Sequence, residues 1–164
     1  MIPLRQTQKS KTLTTPMLKQ YSIIDHTADI GLECRGETIE ALFEAAAEGM
    51  FSILTDLKDV TVKQRHTVEL YASSYDDLLI LWLQELLYLF STKHYVYSVF
   101  SVRIYPAERD DPASAGLKIQ GICGGEPIDL RKHNIYTEIK TATYHQLHVK
   151  QTPKAWEGRV IFDI

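Results

Sequence analysis

The chain has 164 residues, 45% of them hydrophobic and 24% charged, a single-domain length with an ordinary globular composition. The first twenty residues hold four of the 18 basic residues and no acidic one, which leaves 14 basic against 21 acidic side chains over 21–164, about −7. A body that acidic binds phosphate backbones poorly, which argues against an RNA or DNA groove as the main function.

Residues 1–20 read as a disordered, solvated basic leader ahead of one domain over 21–164. They lack the continuous apolar stretch of a signal peptide. Tyr21–Ile24 and Ile30–Cys34 read as short strands around a polar turn, the second with Ile30, Leu32 and Cys34 at period two. Thr38 suits a helix cap, with Glu40 in the first turn near the positive end of the dipole. From there Ile39, Leu42, Phe43, Ala46, Met50, Ile53 and Leu54 form a helical stripe, and Glu37, Glu40, Glu44 and Glu48 fall on or near the wet side.

Val60–Tyr71 alternates and reads as a strand. Ser73-Ser74 before Asp76-Asp77 mark the start of a second helix, Tyr75–Ser91. That helix is apolar almost all round, and Gln84 and Glu85 within it argue for a core helix over a membrane span. Tyr95–Tyr105, Leu117–Cys123, Tyr136–Lys150 and Gly158–Asp163 read as strands. The Pro106–Gly116 stretch reads as a surface loop, with Gly124-Gly125 and Thr152-Pro153 as breaks. Strands and two helices followed by strands describe an α+β fold, with two helices packed on mixed or antiparallel β-sheet in one compact domain.

Cys34 and Cys123 stand alone, without a C-x-x-C pair, as free packed thiols in a reducing cytosol do. A cytoplasmic location with no membrane partner follows as the expectation. No nucleophile elbow, P-loop or dinucleotide fingerprint is present, and Gly121–Gly125 reads as a bend beside a strand.

The chemistry concentrates in carboxylates. Val160–Ile164 is an apolar, strand-like ending that places the Asp163 side chain and the Ile164 α-carboxylate on adjacent residues of a packed segment. The His26-Thr27-Ala28-Asp29 run supplies a third carboxylate, Asp29. Brought together, these charges repel, and a hard divalent cation such as calcium or magnesium, taking oxygen ligands and water, is the natural remedy. The plain alternative leaves Asp29 capping a loop and Asp163 at an exposed strand end. His26 is a candidate ligand or proton carrier, or a hydrogen-bonded loop histidine. His145 and His148 are three apart in a strand, where that spacing sends them to opposite faces and argues against zinc. Lys140 either pairs with the carboxylates or faces solvent.

Asp25-His26-Thr27-Ala28-Asp29-Ile30-Gly31, the Gly36-Glu37-Thr38 helix entry, Asp77–Leu87, Glu138-Ile139-Lys140 with Thr143-Tyr144-His145, and the terminal Asp163-Ile164 resemble, in order, the motifs of the archease family. Thr141 departs from that pattern, which usually places alanine after the lysine. The resemblance implies an archease-type domain acting as a protein cofactor of the RtcB-type RNA-splicing ligase. That ligase joins RNA ends in tRNA splicing or RNA repair, with GTP and manganese of its own. It implies promotion of ligase guanylylation and of multiple turnover, without catalysis by this chain, and contact with RNA only through the ligase. It also implies a divalent cation (calcium, or magnesium or manganese) held by Asp29, Asp163 and Ile164, with Lys140 and His26 in support. A stand-alone metal-dependent phosphohydrolase and a general chaperone-like binding module are the rival readings.

Overall fold

A computed structural model describes residues 18–25, 28–108 and 116–164. Its elements are β1 (Lys19–Asp25), β2 (Asp29–Gly36), α1 (Ile39–Leu54), β3 (Gln64–Ala72), α2 (Tyr75–Lys93), β4 (Tyr95–Ala107), β5 (Gly116–Pro127), β6 (Thr141–Gln151) and β7 (Trp156–Asp163). A single 3-10 turn, Leu57–Asp59, separates α1 from β3. The leader falls outside the described residues up to position 17, while Lys19 and Gln20 already belong to β1.

The strands form two sheets, ordered β1-β2-β7-β6 and β3-β5-β4, with every described pairing antiparallel. Each helix touches both sheets. α1 lies against β1, β2 and β4, and α2 against β6 and β3. The alternation in β2 carries this arrangement, because Leu32 and Cys34 enter the core while Glu33 and Arg35 line the outer face.

Both helix starts follow the caps that the sequence suggests. Thr38 accepts from Ala41 N–H at 3.1 Å, and Ser74 accepts from Asp77 N–H at 3.2 Å. The α1 stripe is buried as expected, but Ala41, Ala45, Ala47 and Phe51 are buried as well. Of the glutamates assigned to a wet side, Glu37 is exposed as expected, while Glu40, Glu44 and Glu48 are partnered. Glu44 accepts from Val102 N–H at 2.9 Å, Glu40 accepts more weakly from Ile104 N–H, and Lys19 lies against Glu44 and Glu48. These carboxylates cover the open edge of β4, which would otherwise present unpaired N–H groups.

Between the sheets, Trp82 of α2 is fully buried and donates its indole N–H to Phe43 O at 3.1 Å. Gly121 of β5 makes room for it, since a Cβ there would stand 2.4 Å from the indole ring. The Gly124-Gly125 pair, expected to break the strand, lies inside β5. A Cβ on Gly125 would meet Val96 O at 1.9 Å, opposite a bulge in β4 between Tyr97 and Val99. These glycines serve close backbone approach, not a turn.

Two strand starts are also corrected. Residues 60–63 precede β3 as a loop, where Thr61 N–H is taken by the Glu126 carboxylate at 2.8 Å and Lys63 N–H by Gly125 O at 2.9 Å. Residues 136–140 precede β6 without ladder pairing; Tyr136 N–H bonds Leu54 O at 2.9 Å. Among the described residues no helix is long and apolar enough to cross a membrane.

Candidate functional site

Asp29 opens β2 and Asp163 closes β7, and the ladder makes them direct partners, Asp29↔Asp163. Opposed Cα atoms in an antiparallel pair are about 4.5–5.5 Å apart, so the register alone brings the two carboxylates onto one face. Asp29 is half-buried and Asp163 exposed. Asp29 Oδ1 is shielded from water and has no hydrogen-bond partner among the described residues. A shielded, unpartnered carboxylate oxygen beside a second carboxylate lacks the positive charge or donor that such a group requires.

The pair lines a small cavity of about 230 Å³ with Ala28, Thr143, His145 and Ile161. Thr143 is held there by its hydroxyl, which donates to Ile161 O at 2.9 Å. His145 arrives through an irregularity in β6. The pairing with β7 runs Thr143↔Ile161 and then resumes at His148↔Arg159, so three extra residues are looped out. Gln146, within the bulge, takes a left-handed φ of 53°. Tyr144 leans to α2, donating to Asp77 Oδ1 at 3.0 Å, and that bond raises its pKa. Val149 N–H donates to Asp76 Oδ1 at 2.8 Å. The first turn of α2 therefore clamps the bulge on both sides.

His145 and His148 do not go to opposite faces: the three extra residues of the bulge break the strand period, and both lie with outward-facing residues of the same sheet, in separate cavities. His145 joins the carboxylates, while His148 lines a larger cavity of about 820 Å³ with Lys19, Arg35, Lys150 and Glu157. In that larger cavity Lys19 faces Glu48, and Arg35 faces Glu157 at 3.9 Å. His145 is the residue that the sequence argument passed over; no signal in the residues announced the bulge.

Lys140 is tied to the site through its backbone, donating N–H to Asp163 O at 2.8 Å. Its exposed side chain lines the neighbouring groove with Gln84, Tyr88 and Glu138, and it makes no ion pair with a described carboxylate. Ile164 is half-buried and packs against the core, which holds the segment after Asp163 in place. His26 lies outside the described residues.

The donor set suits a hard cation in type, being oxygen-rich and carrying the orphaned Asp29 Oδ1. Among the described residues, no three His, Cys, Asp or Glu side chains gather closely enough to hold a metal ion by themselves. A cation here needs donors beyond the two aspartates, and water is of the right type.

A second charged cluster escaped the sequence argument. Glu126, at the end of β5, is 1% exposed. It takes bonds from Thr61 N–H at 2.8 Å, His133 Nε2 at 2.9 Å, Lys63 at 3.0 Å and Lys132. Burial alone would raise its pKa. The bonds from Lys132, Thr61, Lys63 and His133 outweigh that and hold it well below the usual carboxylate range. His133 Nδ1 accepts from Asp129 N–H at 3.0 Å, so its proton sits on Nε2, facing Glu126.

Residues 21–164 match the model of the archease protein family (MTH1598/TM1083). The chain is 36% identical over 146 residues to protein archease of Methanosarcina barkeri, covering 89% of this chain and 97% of that relative. It is 30% identical over 148 residues to protein archease of Pyrococcus abyssi, covering 90% and 100%. Among solved structures, the solution structure of protein 1598 of Methanobacterium thermoautotrophicum is similar with a TM-score of 0.72 at 30% identity, over 88% of this chain and 98% of that one. An archease from Thermotoga maritima, described as a possible chaperone, shares the fold with a TM-score of 0.52 at 22% identity, over 86% and 94%.

Proposed function

The chain belongs to the archease family, and we propose that it activates an RtcB-type RNA ligase, promoting GTP-dependent guanylylation and repeated turnover in tRNA splicing or RNA repair. The observation that carries this reading is the Asp29–Asp163 pair: two carboxylates opposed across β2 and β7, one with a shielded oxygen that has no described partner. Such a tip is built to meet positive charge. A ligase mouth that accepts GTP, RNA ends and manganese is the complementary surface, and an acidic body is drawn to it.

Asp29, Asp163 and the Ile164 carboxylate are the residues that would hold a divalent cation, which when bound neutralises their repulsion. The chain's own contribution is positional. The β2–β7 ladder fixes the carboxylates, Thr143 and His145 wall the cavity, and the Lys140 backbone holds Asp163 from the β6 side. Pressed against the ligase, this surface favours the state of the ligase that it binds more tightly. The chain performs no bond-making step itself.

The test is guanylylation of the cognate ligase with labelled GTP and limiting manganese, with and without the chain and its Asp29→Ala variant. Stimulation by the wild type that the variant loses is the expected result. Equal stimulation by both removes the carboxylates from the mechanism. Phosphate release by the chain alone, abolished by chelator, would replace this reading with a hydrolase.

A further inference from the structure

The thirteen residues between β5 and β6, 128–140, form no strand or helix of their own, yet they are held at many points. Glu126 anchors the segment's start through Lys132 and His133. Ile128 N–H bonds His94 O at 2.8 Å, Thr55 Oγ1 donates to Asn134 O at 2.8 Å, and Tyr136 N–H bonds Leu54 O at 2.9 Å. At the far end Lys140 N–H reaches Asp163 O.

A segment fixed that firmly nevertheless turns apolar side chains outward. Leu130 is 79% exposed, Tyr136 57% and Ile135 36%. Leu130 and Ile135, with Phe90, His94, Ile128 and Ile139, line a groove of about 470 Å³ at the end of α2. Ser91, Glu138 and Ile139 also line the next groove, about 420 Å³, which continues past Tyr88 to Lys140 and Thr141. Thr141 is the β6 partner of Asp163, and Thr143 walls the carboxylate cavity. The two grooves share lining residues, and the second ends at Thr141, directly across the ladder from Asp163 of the carboxylate pair.

We infer that this groove is the docking surface for the protein whose active centre the carboxylates address, taking an apolar side chain of that partner beside Leu130. The inference rests on the ligase-activator reading and adds to it a separation of labour, with affinity in the groove and activation at the tip. Three features select this occupant. The groove ends beside the tip, at the ladder partner of Asp163, so a body seated on the tip has the groove within reach. Glu138 lines both grooves and has no ion pair among the described residues, so it suits a cation flanking the partner's apolar anchor. The pinned segment loses little conformational freedom on binding, and an apolar centre with a polar rim is the pattern of an interface hot spot.

The experiment is a titration of the ligase with wild-type chain, Leu130→Glu, Glu138→Arg and Asp29→Ala. It reads direct affinity by calorimetry and the half-saturating concentration and plateau of guanylylation. Leu130 and Glu138 are exposed, and matching thermal melts verify that the variants fold. The expected result is about tenfold or greater weakening for Leu130→Glu and Glu138→Arg, with the plateau kept. Asp29→Ala should lose the plateau with its affinity near wild type. Wild-type affinity in both groove variants, with stimulation intact in the wild-type chain, overturns the docking surface and leaves the activator reading standing. Light scattering that shows a wild-type dimer dissolved by Leu130→Glu, with ligase affinity unchanged, assigns the groove to a second copy and also overturns it. A wild-type chain that neither binds nor stimulates the ligase overturns the activator reading itself, and this inference with it.

Discussion

Replacing Asp163 with asparagine should stabilise the metal-free protein while abolishing its response to metal. The side chains of Asp29 and Asp163 face each other across the ladder, at roughly 5 Å by strand geometry. Two unit charges at that separation repel by about 0.8 kcal/mol in water and about 3 kcal/mol at an effective dielectric of 20. Asp163 is exposed, so the lower end applies, about 1 kcal/mol. For a domain of this size that is a rise of about 2–4 °C in Tm. The assay is thermal unfolding by circular dichroism at pH 7 and low salt, first in chelator and then in saturating calcium or manganese. Metal at about one hundred times Kd adds about 2.7 kcal/mol to the wild type, roughly 5–10 °C, and little to the variant. The order of stability therefore reverses between the two buffers. An asparagine variant that melts below wild type in chelator would show that the pair is not repulsive. Equal gains from metal in both proteins would show that it is not the cation site.

Glu126→Ala strands the buried His133 N–H and the Thr61 N–H, while Lys63 and Lys132, which are 62% and 36% exposed, return to water. The expected cost is about 2–4 kcal/mol, read as a lowered midpoint in urea; a midpoint equal to wild type would show that the cluster does not hold the loop. Because the folded pKa of Glu126 is depressed, its contribution is full above the unfolded carboxylate value of about 4.3 and is lost as pH falls through the folded value. The gap between wild type and Glu126→Gln should therefore close in acid. Burial pushes the thiols of Cys34 and Cys123 up to about 12, so neither should react with a thiol reagent at pH 8 until the protein is unfolded. Modification of either in the native state would contradict its packing.

The parts of this fold that were legible in the residues are those governed by local chemistry. Thr38 and Ser74 announce helices because a hydroxyl before an apolar-periodic run has an orphan N–H to accept from. Ile30, Leu32 and Cys34 announce a strand because one face of β2 is buried. What stayed hidden depends on partners far along the chain. Gly124 and Gly125 look like a turn, and only the approach of Val62 to the first and of Val96 and Tyr97 of β4 to the second explains them as strand residues. Glu40 and Glu44 look solvated until the β4 edge supplies them with N–H donors. Asp29 and Asp163 were legible as carboxylates in want of a partner, whereas their opposition is a matter of sheet register. His145 was set aside by a strand rule that the bulge at 144–147 does not obey.

Register is also what makes the site robust. A slip of one residue between β2 and β7 would turn Asp163 to the core face. It is prevented by the packing beneath, where Leu32 pairs with Val160 and Cys34 with Gly158. Gly158 can lie there because it lacks a Cβ, which would sit 3.1 Å from Cys34 Sγ and 3.3 Å from Leu42. On the other side Ala142 opposes Phe162, and the Lys140 backbone then fixes Asp163 from β6. The carboxylates, the Lys140 groove and the segment bearing Leu130 are consequently attached to one packed body. A rigid effector of this kind acts only through a difference in its affinity for two states of its partner. On the proposed ligase-activator reading the conformational change belongs to the ligase, and substitutions in this chain's core should alter its stability without altering the size of the stimulation while it stays folded.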